Sequence, residues 1–199
     1  MNQPELDDFL ADYFANLRQL KVTQESIDTL SVSLQVISVN SKAVLVKPGE
    51  VNKHIYIVIQ GGFVCRYVNE KTGEANTINF YLEDLHPIMA CLDSYFTQTP
   101  TSCELKAITR SAVLAVPKVI VDELREKDAA FETFHYEVVA TAMREENELK
   151  TKLIAYSAKD KYDFILEEMP SVIQRVPGKY IAEFCGISQA WLSKLKRQS

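Results

Sequence analysis

Nowhere in the 199 residues do apolar side chains run unbroken for the ~18 positions that a membrane helix requires. The opening MNQPELDDFLADYF is acidic and lacks the basic-then-apolar order of a secretory leader. A soluble cytoplasmic protein is expected. Histidine is scarce: His54, His86 and His135 are dispersed, with no His-x-His. A cupin-like metalloenzyme, which needs clustered imidazole and carboxylate ligands, is therefore disfavoured. The cysteines Cys65, Cys91, Cys103 and Cys185 form no CxxC and have no histidine pair beside them. This speaks against structural zinc or an iron–sulfur cluster, and buried reduced thiols are expected. No nucleophile and base stand at a specific spacing, so no enzymatic activity is expected.

Glycine and proline are missing between Lys118 and Met169, and that gap divides the chain. Before it, PELDDFLADYFANL has a short helical period, after which the pattern alternates. SVSLQVISV, KAVLVKPGE and HIYIVIQGGFVCRYVN are rich in β-branched and aromatic residues. Gly61-Gly62 splits the last of these as a tight hairpin would, and NEKTGE supplies another turn around Gly73. NTINFYLE, SCELKAITR and AVLAVPK continue the series. Short strands with turn signals between them predict a β-sandwich, jelly roll or barrel over 1–116.

Within the gap, Phe131, Phe134, Val138, Ala142, Leu149, Leu153 and Tyr156 recur at steps of three, four or seven, one stripe on a long helix interrupted by Glu145. A small β-domain cannot cover such a stripe alone. Packing against a second copy of the chain is the expectation for 117–157, the alternative being burial inside its own chain.

The last section, 158–199, reads as helical, with AKDKYDFILEEMP one helix ended by Pro170. In YIAEFCGISQAWLSKLK, Ala182 is small enough for two helices to cross closely, and Gly186 four places later suits a sharp turn. Ile181, Cys185, Ile187, Leu192 and Leu195 fall on the face to be buried. Ser188 caps the second helix. This is helix-turn-helix spacing, and it leaves Gln189, Ala190, Trp191, Ser193, Lys194, Lys196 and Arg197 facing outward. Gln189, Ser193 and Lys194 would reach base edges, while Lys179, Lys196 and Arg197 would hold phosphates. Indole is costly to leave in water, so Trp191 is expected at least partly in the core, the alternative being stacking on a sugar or thymine methyl. The net charge of −5 is unusual for such a role, but residues 174–199 carry Arg175, Lys179, Lys194, Lys196 and Arg197 against Glu183 alone. An acidic body with a basic tip suits one end meeting a polyanion.

A β-rich part, a long helix and a helix-turn-helix, in that order, resemble the CRP/FNR (cyclic AMP receptor and fumarate-nitrate reduction) superfamily of bacterial transcription regulators. KPGEVNKHIYIVIQGGFVCRYV is similar to the family's glycine- and tyrosine-spaced strand pair. QRVPGKYIAEFCGISQAWLSKLKR resembles its short-tailed members, in which RVP, YIA, GIS and LS recur. The resemblance implies an α+β fold with a double-stranded β-helix (jelly roll) sensor of the cyclic-nucleotide-binding type. It also implies a homodimer through the long helix, a pseudo-palindromic double-stranded DNA site and contact with RNA polymerase.

Two departures stand out. Family members that bind cyclic nucleotides use a Gly-Glu pair and an Arg before Ser or Thr. Here the corresponding pocket residues are Tyr81, Leu82, Glu83, Thr101 and Ser102, with Leu82 in place of the glycine and Thr101 in place of the arginine. A buried phosphate would lack its charge-assisted partner, so cyclic AMP is not expected as the effector, and the effector stays unnamed. Only Gln198 and Ser199 follow Arg197, so the family's β-wing is expected to be absent. The cysteine positions do not match the oxygen-sensing branch, and the three histidines fit no haem pattern. A ligand-binding or protein-interaction module with a degenerate DNA-binding tail is the alternative.

Overall fold

The computed structural model describes residues 3–197. Helices α1 (Gln3–Gln19) and α2 (Gln24–Ser33) lead into strands β1 (Gln35–Val39), β2 (Val44–Val46), β3 (His54–Gln60), β4 (Gly62–Val68), β5 (Ala75–Leu82) and β6 (Ile88–Met89). Short α3 (Leu92–Thr97) precedes β7 (Cys103–Ala107) and β8 (Ser111–Pro117). The chain continues through α4 (Lys118–Lys127), α5 (Ala129–Ala155), α6 (Ala158–Glu168), α7 (Pro170–Arg175), α8 (Gly178–Cys185) and α9 (Gln189–Leu195).

The strands form two antiparallel sheets, ordered β1-β8-β3-β6 and β2-β7-β4-β5, the two layers of a jelly roll. Alternation along each strand decides what each layer buries. Val58, Phe63, Cys65, Leu105 and Val113 point into the roll. Ile57, Ile59, Leu114 and Val116 point out and are covered by Leu17, Ile27 and Leu30 of the N-terminal helices and by Val121, Leu124 and Phe131. On the other sheet Val64, Phe80 and Leu82 point out and are covered by Tyr162, Ile165, Ile181 and Phe184. Helices therefore cover both outer faces, which is why strands such as SAVLAVP read as continuous apolar runs. The C-terminal helices are docked on the sheet, with the Phe80 and Phe184 rings 4.8 Å apart.

Local details differ from the sequence expectations. The first residues of SVSLQVISV end α2, which Thr23 caps by accepting from the Ser26 N–H, and strand β1 starts only at Gln35. Gly61-Gly62 is not a hairpin: β3 and β4 lie in different sheets, and the chain turns a corner between them. Gly61 alone takes a positive φ, +86°, and a Cβ there would lie 2.9 Å from the Arg110 carbonyl oxygen. The segment 117–157 is not one helix. It breaks at Asp128, whose carboxylate accepts from the Ala130 and Phe131 N–H groups at 2.9 and 3.1 Å and so caps α5. Pro170 both follows α6 and opens α7, since a proline at the first helical position loses no intrahelical bond.

Asp128 also joins distant parts of the chain. Its second oxygen accepts from the Thr23 N–H at 2.9 Å and the Thr23 hydroxyl at 2.8 Å. Burial alone would raise its pKa, but these hydrogen bonds hold it well below the usual carboxylate range.

Candidate nucleic-acid interface and sensor cavity

The closing pair of helices meets at Gly186, in the left-handed conformation with φ 71° and ψ 35°. The Ile187 N–H donates to the Ala182 carbonyl at 3.0 Å, closing the end of α8. Ser188 then caps α9, accepting from the Trp191 N–H at 3.2 Å. Ile181, Ala182, Cys185, Leu192 and Leu195 are buried between the helices and Tyr162, Ile165 and Val172. Each position falls where the spacing put it.

The opposite side of α9 is open. Gln189, Ala190, Ser193, Lys194, Lys196 and Arg197 are exposed, as are Ser188 and Lys179. Lys194, Lys196 and Arg197 have no ion pair among the described residues, and Lys194 Nζ lies 5.8 Å from the Trp191 ring centroid. Trp191 is not in the core as expected but 54% exposed. Leu192 and Leu195 already fill the inward face of this two-turn helix, and position 191 lies about 100° away from 192. Arg175, counted on sequence with the basic tip, does not belong to this surface. It donates to Glu83 at 2.7 Å, Asp84 at 3.1 Å and the Gly61 carbonyl at 2.8 Å, tying α7 to the roll. The β-wing expectation falls on Gln198 and Ser199, outside the described residues.

The helix-turn-helix is held to the roll by a buried clamp. Arg66 of β4 makes a bidentate pair with Glu183 of α8, both bonds 3.0 Å, and donates to Glu104 at 2.7 Å and the Ala75 carbonyl at 2.9 Å. Thr77 donates to Glu183 at 2.8 Å. Burial works against the charge on Arg66, but the hydrogen bonds to Glu183 and Glu104 outweigh it and raise its pKa. Nothing in the sequence signals this pairing, because the partners lie 117 residues apart.

The predicted effector residues do not converge. Tyr81 is buried and lines a cavity, but Leu82 points out of the roll toward the C-terminal helices and Glu83 pairs with Arg175. The Thr101 hydroxyl accepts from the Cys103 N–H at 3.0 Å, and Ser102 donates to Glu70 at 2.7 Å. Thr101 lies beside Cys91 and Cys103, not beside Glu83. The four cysteines are free, as expected. Burial pushes Cys91 and Cys185 up to about 11. The Cys103 hydrogen bond and burial raise Cys65 as well, which keeps Cys65, Cys91 and Cys185 protonated, whereas the same hydrogen bond lowers Cys103.

The cavity, about 330 Å³, lies between the roll and α5, with α6 at its rim. Its floor includes Asn79, Tyr81 and Met89, and α5 contributes Val138, Ala142, Glu146 and Leu149. The stripe expected to meet a second chain is thus used within this one. Phe131 and Phe134 pack on the roll, Val138 and Ala142 line the cavity, and Leu149 and Leu153 join the C-terminal core. The face of α5 that remains outward is displaced around the helix. It carries Tyr136, 65% exposed, Met143, 61%, and Ile154, 76%, with Ala140, Asn147 and Lys150 between them at alternating steps of four and three. That is the spacing of a coiled-coil seam.

No protein-family model matches the chain, and no curated protein matches it in sequence. Solved structures do match its fold. FixK2 from Bradyrhizobium japonicum superposes with a TM-score of 0.67 at 14% identity, covering 83% of each chain. A protein from Eubacterium rectale assigned to the CRP/FNR family of transcriptional regulators gives 0.68 at 14% identity, over 89% of this chain and 83% of that one. The c-di-GMP-responsive global regulator CLP from Xanthomonas campestris gives 0.65 at 9% identity, over 88% and 91%. The architecture is therefore that of CRP/FNR-type regulators over nearly the whole chain: jelly roll, long helix and helix-turn-helix.

Proposed function

We propose that this chain is a dimeric, DNA-binding transcription regulator of the CRP/FNR type. In this reading 1–116 senses, 117–157 connects and dimerises, and 158–199 binds DNA. What supports it is the exposure of Gln189, Ser193 and Lys194 on one side of α9, flanked by Lys196 and Arg197, which have no ion pair among the described residues. A helix so presented can enter the major groove, where glutamine matches an adenine edge and lysine a guanine edge or phosphate. Lys179 would add a phosphate contact, and Trp191 and Ser188 lie at the same surface. The dimer would form along Tyr136, Ala140, Met143, Asn147, Lys150 and Ile154, with Asn147 setting register as polar residues do in a seam. Two recognition helices related by that axis would select a pseudo-palindrome. Contact with RNA polymerase and a cytoplasmic location belong to the same reading, which assigns no catalytic step.

Gel-shift titration against genomic fragments at low and moderate salt tests the function. Sequence-selective retardation that survives moderate salt is the expected result. Retardation that is non-selective and vanishes with salt would leave only a degenerate tail. Lys194→Ala should cost about 1–3 kcal/mol with relaxed sequence choice if it reads a base. A uniform loss with a salt slope smaller by about one would make Lys194 a phosphate contact. No change in either would remove it from the interface.

A further inference from the structure

The cavity between the roll and α5 has a chemical bias that does not depend on the missing arginine. Its walls are mostly apolar, with Tyr81, Ile88, Met89, Leu149 and Phe164 among them. Its charged groups are four carboxylates, Glu145, Glu146, Glu148 and Glu168, against Lys152 and His86. Glu148 is taken by Lys152 at 2.7 Å, and Glu145 by His86 at 3.1 Å. Glu146 has no cationic partner among the described residues. It accepts one hydrogen bond, 2.6 Å, from the side-chain amide of buried Asn79. That amide is fixed in orientation, because its oxygen accepts from the Phe80 N–H at 2.8 Å and its nitrogen must face the carboxylate. The lining of the cavity therefore presents a carboxylate held in place by a neutral donor and still able to accept.

We infer that this cavity takes an apolar small molecule with an N–H donor, uncharged or cationic, which bonds Glu146, and that it rejects anions such as phosphate esters. An anion entering here would lose its hydration beside Glu146 and Glu168, which have no cationic partner among the described residues, and this disfavours its charged form twice over. An apolar amine meets walls that match its rings and an acceptor that matches its nitrogen. About 330 Å³ is within the range of small-molecule sites, at its lower end. Since Glu146 and Ala142 sit on α5, occupancy would bear directly on the helix that carries the proposed dimer seam. This inference deepens the sensor half of the proposed function and rests on it only for its regulatory meaning.

Two fluorescent probes on one scaffold test it in the full-length protein without DNA: N-phenyl-1-naphthylamine, and its 8-sulfonate, which adds one negative charge. The uncharged amine should bind at least tenfold more tightly than the sulfonate. Ala142→Trp and Val138→Phe, which fill the cavity from the same wall, should each abolish amine binding while the circular dichroism spectrum is kept. Glu146→Gln should weaken the amine severalfold and narrow the gap between the probes. Equal or tighter binding of the sulfonate, or amine binding that survives both filling substitutions, would overturn the inference. Because no DNA is present, such a failure would leave the gel-shift result standing, and the reverse holds.

Discussion

Replacing Arg66 by Met removes the charge at the centre of the clamp but keeps much of the apolar stem. The side chains involved are only 10%, 16% and 13% exposed for Arg66, Glu183 and Glu104. Without the guanidinium, Glu183 keeps the Thr77 hydroxyl at 2.8 Å and a distant Lys179 at 3.9 Å, and Glu104 loses its ion pair. Two shielded carboxylates then share a site with no cation between them. Breaking a buried pair from one side costs about 3–5 kcal/mol, a large part of the ~5–15 kcal/mol that holds a domain folded. Urea unfolding at neutral pH, followed by circular dichroism, reads the change. The loss should persist in 1 M salt, because buried pairs are screened far less than exposed ones. Arg66→Lys should not restore it, since an ammonium cannot make the bidentate bond to Glu183. A double-mutant cycle with Glu183→Gln should give a coupling of about 1–3 kcal/mol. A loss under about 1 kcal/mol, or additivity within about 0.5 kcal/mol, would refute the clamp as an energetic link between roll and helix-turn-helix.

Two further outcomes follow from other contacts. Asp128→Ala removes the cap of α5 and leaves the Thr23 N–H without its acceptor, and should cost about 2–3 kcal/mol at pH 7. Because the folded state holds the Asp128 pKa down, its stabilisation is complete above the ordinary carboxylate pKa, about 3.9, and erodes as pH falls below it. The gap between parent and variant in urea titrations should shrink from pH 4 toward pH 2, and a gap independent of pH would disprove the charge's role. Met143→Glu places like charges across the proposed seam, which at about 3 kcal/mol is a hundredfold weaker dimer by sedimentation equilibrium. The monomer should stay folded because Met143 is exposed, and an unchanged dimer would place the interface elsewhere.

The helix-turn-helix was the most legible part of the chain. Its geometry is set by near neighbours: a small residue at 182, a positive φ at 186 and a hydroxyl cap at 188. The jelly roll was legible in kind, because alternation survives in β5 and β7 even where both faces are buried. Its connectivity was not, since a Gly-Gly pair suits a hairpin and a corner between sheets equally well. The break at Asp128 was hidden for a different reason. Aspartate can cap a helix or lie exposed within one, and Thr23 helps decide between them from 105 residues away. For the effector residues, the resemblance led to Glu83, but with Leu82 in place of the glycine a single matching glutamate carries little information. Tertiary packing put Cys91 beside Thr101 instead.

The order of elements and the turn between the last two helices were determined by the sequence alone, because period, glycine placement and capping act over a few residues. Tertiary structure decided which face of α5 is spent inside the chain and which stays exposed. A stripe of apolar residues records that a face is buried, but not against what. The roll claims Phe131 and Phe134 and the C-terminal core claims Leu149, while the neighbouring face, with Met143 and Ile154, stays exposed.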